Sequence, residues 1–302
     1  MSLHLSPKVM DVVFLVGFAS FFSLALVTYA VRVGLHLSTL PPLRPRGAGR
    51  RLLPSLLVGY FYWLTKPICR LAIRSGQSAS FFTVLGLVVA FATAIAVGSG
   101  HFALGAVLLI TTGALDVMDG EVARALRSTS ARGAFFDSTI DRVADGLMFG
   151  GCVVYYAGTV VMYAALVALV MSFVISYARS RAETLGLTGA EGLMQRADRI
   201  TLLSIALAFS PLVGHHVEGF VPHPTYAVTA VALFIMALLN TGTAIARIVW
   251  TMKQLGDPAL VSAQERQTEA ARLERLVPVE APAATTGAAA AAALRGRSHQ
   301  VG

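Results

Sequence analysis

Two stretches of this chain, residues 75–115 and 146–178, hold no Asp, Glu, Lys or Arg. A helix needs about 20 consecutive apolar residues to cross the hydrocarbon of a bilayer. Inside that hydrocarbon only helices and closed barrels satisfy their own backbone. Runs of this length therefore confine the chain to membrane-spanning helices. Composition agrees: of 302 residues, 56% are hydrophobic and 13% are charged, with a mean hydropathy of +0.69, against about 25% charged residues in soluble domains. The segment between the two runs, DVMDGEVARALRSTSARGAFFDSTID from Asp116 to Asp141, carries four aspartates. A carboxylate at bilayer depth costs roughly 2.5–3.5 kcal/mol on insertion scales. Four in one place require a compensating cation.

The remaining spans follow from the same logic. Residues 12–31 are uncharged and end at Arg32, enough for one crossing; secretory h-regions are shorter, about 7–15 residues, so this helix is read as retained. Residues 41–51, PPLRPRGAGRR, form a basic Pro/Gly linker. Residues 52–74 mix apolar positions with Lys66, Arg70 and Arg74 and read as an amphipathic helix on the inner membrane surface. The patch Gly98, Ser99, Gly100, His101 splits the first long run into helices near 81–97 and 102–124. Further helices are expected at 133–156, 159–179, 200–213 and 226–245, with a polar basic segment at 180–199. Seven spans with the N-terminus outside leave outer loops near 98–102, 157–159 and 214–225, which contain no Lys or Arg. Every Lys and Arg except Lys8 then faces the cytoplasm, as the positive-inside rule requires.

The net charge of +8 is accounted for by this one-sided distribution, so no nucleic-acid partner is expected. Cys69 and Cys152 lie far apart without a CxxC or Cys/His pattern and read as packing residues. Walker, GxSxG and HExxH motifs are absent. Beyond Trp250 the chain becomes charged and then low-complexity; residues 263–276 are compatible with a short surface helix, and the rest cannot bury a core.

Asp116 and Asp119 are three apart, and Asp137 and Asp141 four apart, so each pair shares one helix face. Consecutive antiparallel helices joined by a short turn bring both pairs to the same end. Hard carboxylate oxygens suit Mg²⁺ or Mn²⁺, with phosphate oxygens completing the shell. Gly120 leaves the backbone open to a ligand, Ala123 lies on the same face, and Arg124 offers a phosphate-pairing fork. Asp145, one turn beyond Asp141, reads as a structural partner for an arginine, and the histidines at 101, 215, 216 and 223 as interfacial residues.

DxxDGxxAR, eight residues, then GxxxDxxxD resembles the signature of the CDP-alcohol phosphatidyltransferase family. Asp116, Asp119, Gly120, Ala123, Arg124, Gly133, Asp137 and Asp141 match every defined position, and the resemblance spans roughly 60–250. It implies an all-α integral membrane fold, a six-helix core preceded here by one extra N-terminal transmembrane helix, assembled as a homodimer. By the same resemblance, Asp116, Asp119 and Asp137 hold two divalent ions, Mg²⁺ or Mn²⁺, against the pyrophosphate of CDP-diacylglycerol. Asp141 helps bind metal and is the catalytic base. Ser80, Thr83, Gly120, Ala123, Arg124 and Ser130 contact the CDP-lipid. Where family members often read TPN or TPD shortly before that threonine, this chain has Ser78, Ala79 and Ser80.

Residues 176–199, SYARSRAETLGLTGAEGLMQRADR, resemble the inositol-phosphate branch of the family. The resemblance assigns Ser176, Arg179, Arg181, Arg196 and Arg199 to the acceptor phosphate, with Arg179 where that branch often has Lys. The expected domains are 1–51, the extra helix and linker; 52–250, the membrane domain with its juxtamembrane helix; and 251–302, a mostly disordered cytoplasmic tail. The expected location is the inner (cytoplasmic) membrane, crossed several times, with the site facing the cytoplasm. The expected reaction gives phosphatidylinositol phosphate and CMP. Two alternatives stay open: the same chemistry on another acceptor such as glycerol 3-phosphate, or a non-enzymatic membrane protein that binds cations.

Overall fold

Helix boundaries in this chain are set by local caps as much as by hydropathy. In the computed structural model, which describes residues 7–35, 55–187, 192, 194–213 and 226–256, eight helices and no strand are found among the described residues. They are α1 Pro7–Gly34, α2 Ser55–Arg74, α3 Ala79–Gly98, α4 Phe102–Ala125, α5 Ala131–Tyr155, α6 Val160–Thr184, α7 Arg196–Val213 and α8 Ala227–Leu255. The linker at 41–51 and the surface helix expected at 263–276 lie outside the described residues. The chain divides into two units, Met1–Met252 and Lys253–Gly302. The first holds the helices up to the last turn of α8, and the second is described only over residues 253–256.

Ser78 and Ser130 sit at the N-caps of α3 and α5, where their hydroxyls accept hydrogen bonds from the amides of Phe81 and Gly133. Asp198 reaches back from the first turn of α7 to accept from the Gln195 amide at 2.9 Å. That bond starts α7 at Arg196, four residues before the apolar run. α6 and α8 likewise extend past their apolar stretches to Thr184 and Leu255, because charged residues do not end a helix when its turns stay hydrogen-bonded. α4 ends at Leu126, followed by Arg127 in the left-handed region at φ 51°, the place that glycines at 76, 100, 158 and 186 take elsewhere.

The helices pack around one core cluster drawn from α3 to α8, with Phe102, Leu109, Phe149, Cys152, Leu203 and Leu233 at its centre. α3 and α5 meet closely at Gly151, where a Cβ would come within 2.8 Å of the Ala94 carbonyl oxygen. A second cluster, including Cys69, Phe82, Leu115 and Val122, fastens the inner face of α2 onto α3 and α4. Cys69 and Cys152 are both buried and free, consistent with packing roles. α1 docks through Tyr29, stacked near Tyr60 and Trp63, and through the Tyr60 hydroxyl, which donates to the Phe22 carbonyl at 3.0 Å.

Four helices, α3, α4, α6 and α8, are long and apolar enough to cross a membrane, and the fold is that of an all-helical integral membrane protein. α5 and α7 fall short on composition alone: one carries Arg132, Asp137, Asp141, Arg142 and Asp145, the other opens with Arg196, Asp198 and Arg199. Asp137, Asp141, Asp145, Arg196 and Arg199 among them build the polar site. Seven crossings were expected from hydropathy and charge. The described helices show four: α5 and α7 fall short where the site's charges lie, and in α1 the apolar stretch is only Phe22–Gly34.

Candidate active site

α4 and α5 are joined by the short turn at 126–130, and both pack on α3. Asp116, Asp119 and Asp137 each place one carboxylate oxygen within 4.8 Å of the others. At such a separation each pair of charges repels by about 3 kcal/mol even at an effective dielectric of ~20. Asp119 is 7% exposed and is held by Thr83 of α3, whose hydroxyl donates to Oδ2 at 3.0 Å. Asp137 Oδ1 is buried and finds no hydrogen-bond partner among the described residues. Three converging hard oxygens, with an unpartnered carboxylate oxygen on one of the three residues, are what a divalent cation would complete.

The fourth aspartate stands differently. Asp141 lies outside that group, and its Oδ1 is 2.9 Å from Nη1 of Arg196, with Arg142 at 3.8 Å. Arg196, at the start of α7, bridges it to the group, since the same Nη1 also lies 2.8 Å from Asp116 Oδ1. Its Nε donates to Asp145 Oδ1 at 3.2 Å. Asp145 is the hub of this arrangement. It is 3% exposed and accepts from Ser172 of α6 at 3.0 Å, from Arg196, and from Arg199 Nη2 at 2.7 Å. The expected structural partner for an arginine therefore serves two.

The other residues singled out from the sequence are distributed around this centre. Gly120 is half-buried, and a Cβ there would meet only the tip of the Arg124 side chain at 3.2 Å, so the backbone beside the aspartates is open. Ala123 is half-buried on the same helix, while Arg124 is exposed and pairs with Glu121 at 3.1 Å. Ser130 caps α5, and Ser80 is exposed on the first turn of α3. Ser176 is half-buried on α6, one turn past Ser172. Arg179 is exposed and paired with Glu183 at 2.8 Å, and Arg181 is exposed. Arg199, at 2% exposure, lies behind the site on Asp145 and not on its surface. The structure thus gathers Thr83, Asp116, Asp119, Asp137, Asp141 and Arg196, with Arg199 as a buried support. Among the described residues, no hydrogen bond or ion pair joins Ser80, Ser130, Ser176, Arg179 or Arg181 to the aspartates. Ser172 was not expected in the site. A serine in an apolar run has no spacing signal, and only its place opposite Asp145 reveals it.

Fold and site together define an α-helical membrane protein with a carboxylate cluster suited to divalent metal. Comparison with known proteins names the class. The family model described as CDP-alcohol phosphatidyltransferase matches residues 77–253. A phosphatidylinositol phosphate synthase of Streptomyces avermitilis is 32% identical over 227 residues, which cover 73% of this chain and 91% of that protein. The crystal structure of Mycobacterium tuberculosis phosphatidylinositol phosphate synthase with CDP-DAG bound superposes with a TM-score of 0.54 at 30% identity, covering 62% of this chain and 92% of that one. The same Mycobacterium protein in complex with manganese and citrate gives the same TM-score and identity, over 62% of this chain and 88% of that one. The chain belongs to the CDP-alcohol phosphatidyltransferase family.

Proposed function

We propose that this enzyme transfers the phosphatidyl group of CDP-diacylglycerol to an inositol phosphate, giving phosphatidylinositol phosphate and CMP. The observation that carries the reading is the meeting of three carboxylates with Arg196: a cation-demanding cluster and a phosphate-seeking guanidinium at one point. The acceptor is supported by the names of the Streptomyces and Mycobacterium relatives.

Asp116, Asp119 and Asp137 would hold two divalent ions, Mg²⁺ or Mn²⁺; the donor set and the unpaired Asp137 oxygen fit them. When bound, such ions neutralise charge on the phosphoryl group and on the departing CMP. Thr83 fixes the Asp119 carboxylate, and the open backbone at Gly120, with Ala123, leaves room for the cytidine diphosphate. Ser80, Arg124 and Ser130 border the donor on the rim. Arg196 orients the acceptor phosphate by exchanging a carboxylate for it, supported by Arg199 from below and by Ser176, Arg179 and Arg181 from α6 and its extension. Asp141, joined to Asp116 through Arg196, takes the proton of the acceptor hydroxyl. The hydroxyl oxygen bonds to the phosphorus that carries diacylglycerol, the bond from that phosphorus to CMP breaks, and CMP leaves with the electron pair.

In this reading α3 to α8 form the six-helix core, α2 lies along the inner membrane surface, and α1 is an added transmembrane helix. Residues 1–51, 52–250 and 251–302 are the anchor, the catalytic domain and the tail. The enzyme is a homodimer of the inner membrane with its site facing the cytoplasm, the side to which the arginine distribution assigns the aspartate ends.

The test is CMP release by the purified protein with CDP-diacylglycerol, Mg²⁺ or Mn²⁺, and inositol phosphate, free inositol or glycerol 3-phosphate in parallel. Turnover with inositol phosphate alone is expected; turnover only with another acceptor would discard the acceptor assignment and keep the metal site. Asp141→Asn is expected to retain binding of the CDP-lipid and to lose about 10²–10⁴-fold in kcat, the usual weight of a general base. Undiminished turnover in that variant would remove Asp141 from the role.

A further inference from the structure

The mechanism leaves one buried polar stripe unused, and it lies on a helix that makes no described bond to the aspartates. On one face of α8, Asn240, Thr243 and Arg247 follow at helical spacing and are 0%, 0% and 6% exposed. Asn240 Nδ2 donates to the Ala168 carbonyl at 3.0 Å, and Arg247 Nη1 donates to the Ile175 carbonyl at 2.9 Å, so both grip α6. Thr243 does something else. Its hydroxyl accepts from the buried backbone amide of Met194 at 3.2 Å, in the connection from α6 to α7.

Gly192 in the same connection lies flat against these two side chains. A Cβ there would overlap the Thr243 methyl and come within 3.2 Å of Arg247 Nε. The connection is thus seated on α8 at two neighbouring points, residues 192 and 194. Directly after the second, the Gln195 amide is taken by Asp198 and α7 begins with Arg196. The Arg196 guanidinium must then reach Asp116, Asp141 and Asp145 at 2.8, 2.9 and 3.2 Å at once. A side chain on the first residue of a helix cannot meet three fixed partners unless the start of that helix is itself held, because helix ends fray without a tertiary anchor. Arg247 is a buried cation that pairs with no carboxylate among the described residues, and a buried charge of this kind is costly unless the position requires it.

We propose that Thr243 and Arg247 are positioning residues that clamp the α6–α7 connection onto α8 and thereby set Arg196 for the acceptor phosphate. The proposal rests on the acceptor role given to Arg196 above. It makes α8 a determinant of acceptor affinity without contact to substrate. Donor binding, which depends on α3, α4 and α5, is left alone.

The test compares full-length wild type, Thr243→Val and Thr243→Ser in detergent. Valine keeps the shape and removes the acceptor of the Met194 hydrogen bond; serine restores it. An unsatisfied buried amide corresponds to roughly a tenfold effect on an equilibrium. Thr243→Val is therefore expected to raise the KM for inositol phosphate roughly tenfold with the KM for CDP-diacylglycerol unchanged, and to speed amide exchange over 192–199 by a similar factor. Thr243→Ser is expected to return both to the wild-type values. A fall in kcat with both KM values unchanged, or a failure of serine to rescue, overturns the proposal. So does wild-type exchange over 192–199 in the valine variant, which is read without any substrate. A wild type that does not use inositol phosphate would instead overturn the acceptor reading, so the two failures are distinguishable.

Discussion

Asp145 offers the sharpest test of the network beneath the site. Its carboxylate is 3% exposed and receives three donors: Ser172 at 3.0 Å, Arg196 at 3.2 Å and Arg199 at 2.7 Å. Asp145→Asn keeps the shape and removes the charge. The amide oxygen can still accept one of these bonds, but the amide nitrogen faces a guanidinium that it cannot satisfy. Arg196 retains Asp116 and Asp141, so the loss falls on Arg199, which is 2% exposed and has no other carboxylate among the described residues. Breaking one side of a buried pair costs about 3–5 kcal/mol. For a chain of this size that lowers the midpoint of thermal unfolding by roughly 6–20 °C, readable in detergent from the fluorescence of Trp63 and Trp250. Pairing Asp145→Leu with Arg199→Met removes both charges, and most of the lost stability is expected to return, because apolar replacement of a buried pair is close to neutral. A drop of less than about 2 °C for the single variant, or no recovery in the double one, would refute the assignment of Asp145 as the hub.

Three further outcomes follow from individual contacts. Asp137→Asn removes the charge of one of the three converging carboxylates and is expected to weaken Mn²⁺ binding at least about tenfold by paramagnetic resonance titration, whereas Ser130→Ala, at the cap of α5, is expected to leave it unchanged. Gly151→Ala pushes a methyl to 2.8 Å from the Ala94 carbonyl oxygen and should destabilise the α3–α5 contact by about 1–3 kcal/mol in thermal unfolding. Arg127→Gly relieves a left-handed residue at the end of α4 and should raise stability by about 1 kcal/mol in the same assay.

Much of the architecture was legible in the chain itself, because spans and helix faces depend on neighbours three or four residues apart. The uncharged runs defined α3, α4 and α6, and the spacing of Asp116 with Asp119 and of Asp137 with Asp141 put each pair on one face. A short turn between the two helices made their convergence an expectation before any coordinates. Helix ends were less legible: α6, α7 and α8 run into charged sequence, since a cap such as Asp198 on Gln195 depends on side-chain geometry that hydropathy does not register.

The partition of the charged residues was decided only by tertiary structure. Of four equivalent-looking aspartates, Asp116, Asp119 and Asp137 converge, while Arg196 enters from α7 and bridges Asp116 to Asp141. Arg196 and Arg199 share the same basic segment, yet one joins the aspartates and the other is buried on Asp145. Thr83 meets Asp119 across 36 residues, Arg199 meets Asp145 across 54, and Met194 meets Thr243 across 49. Such pairings are fixed by the register and rotation of packed helices. A local pattern determines which face of a helix is polar, but which partner that face meets depends on contacts that exist only once the bundle has formed.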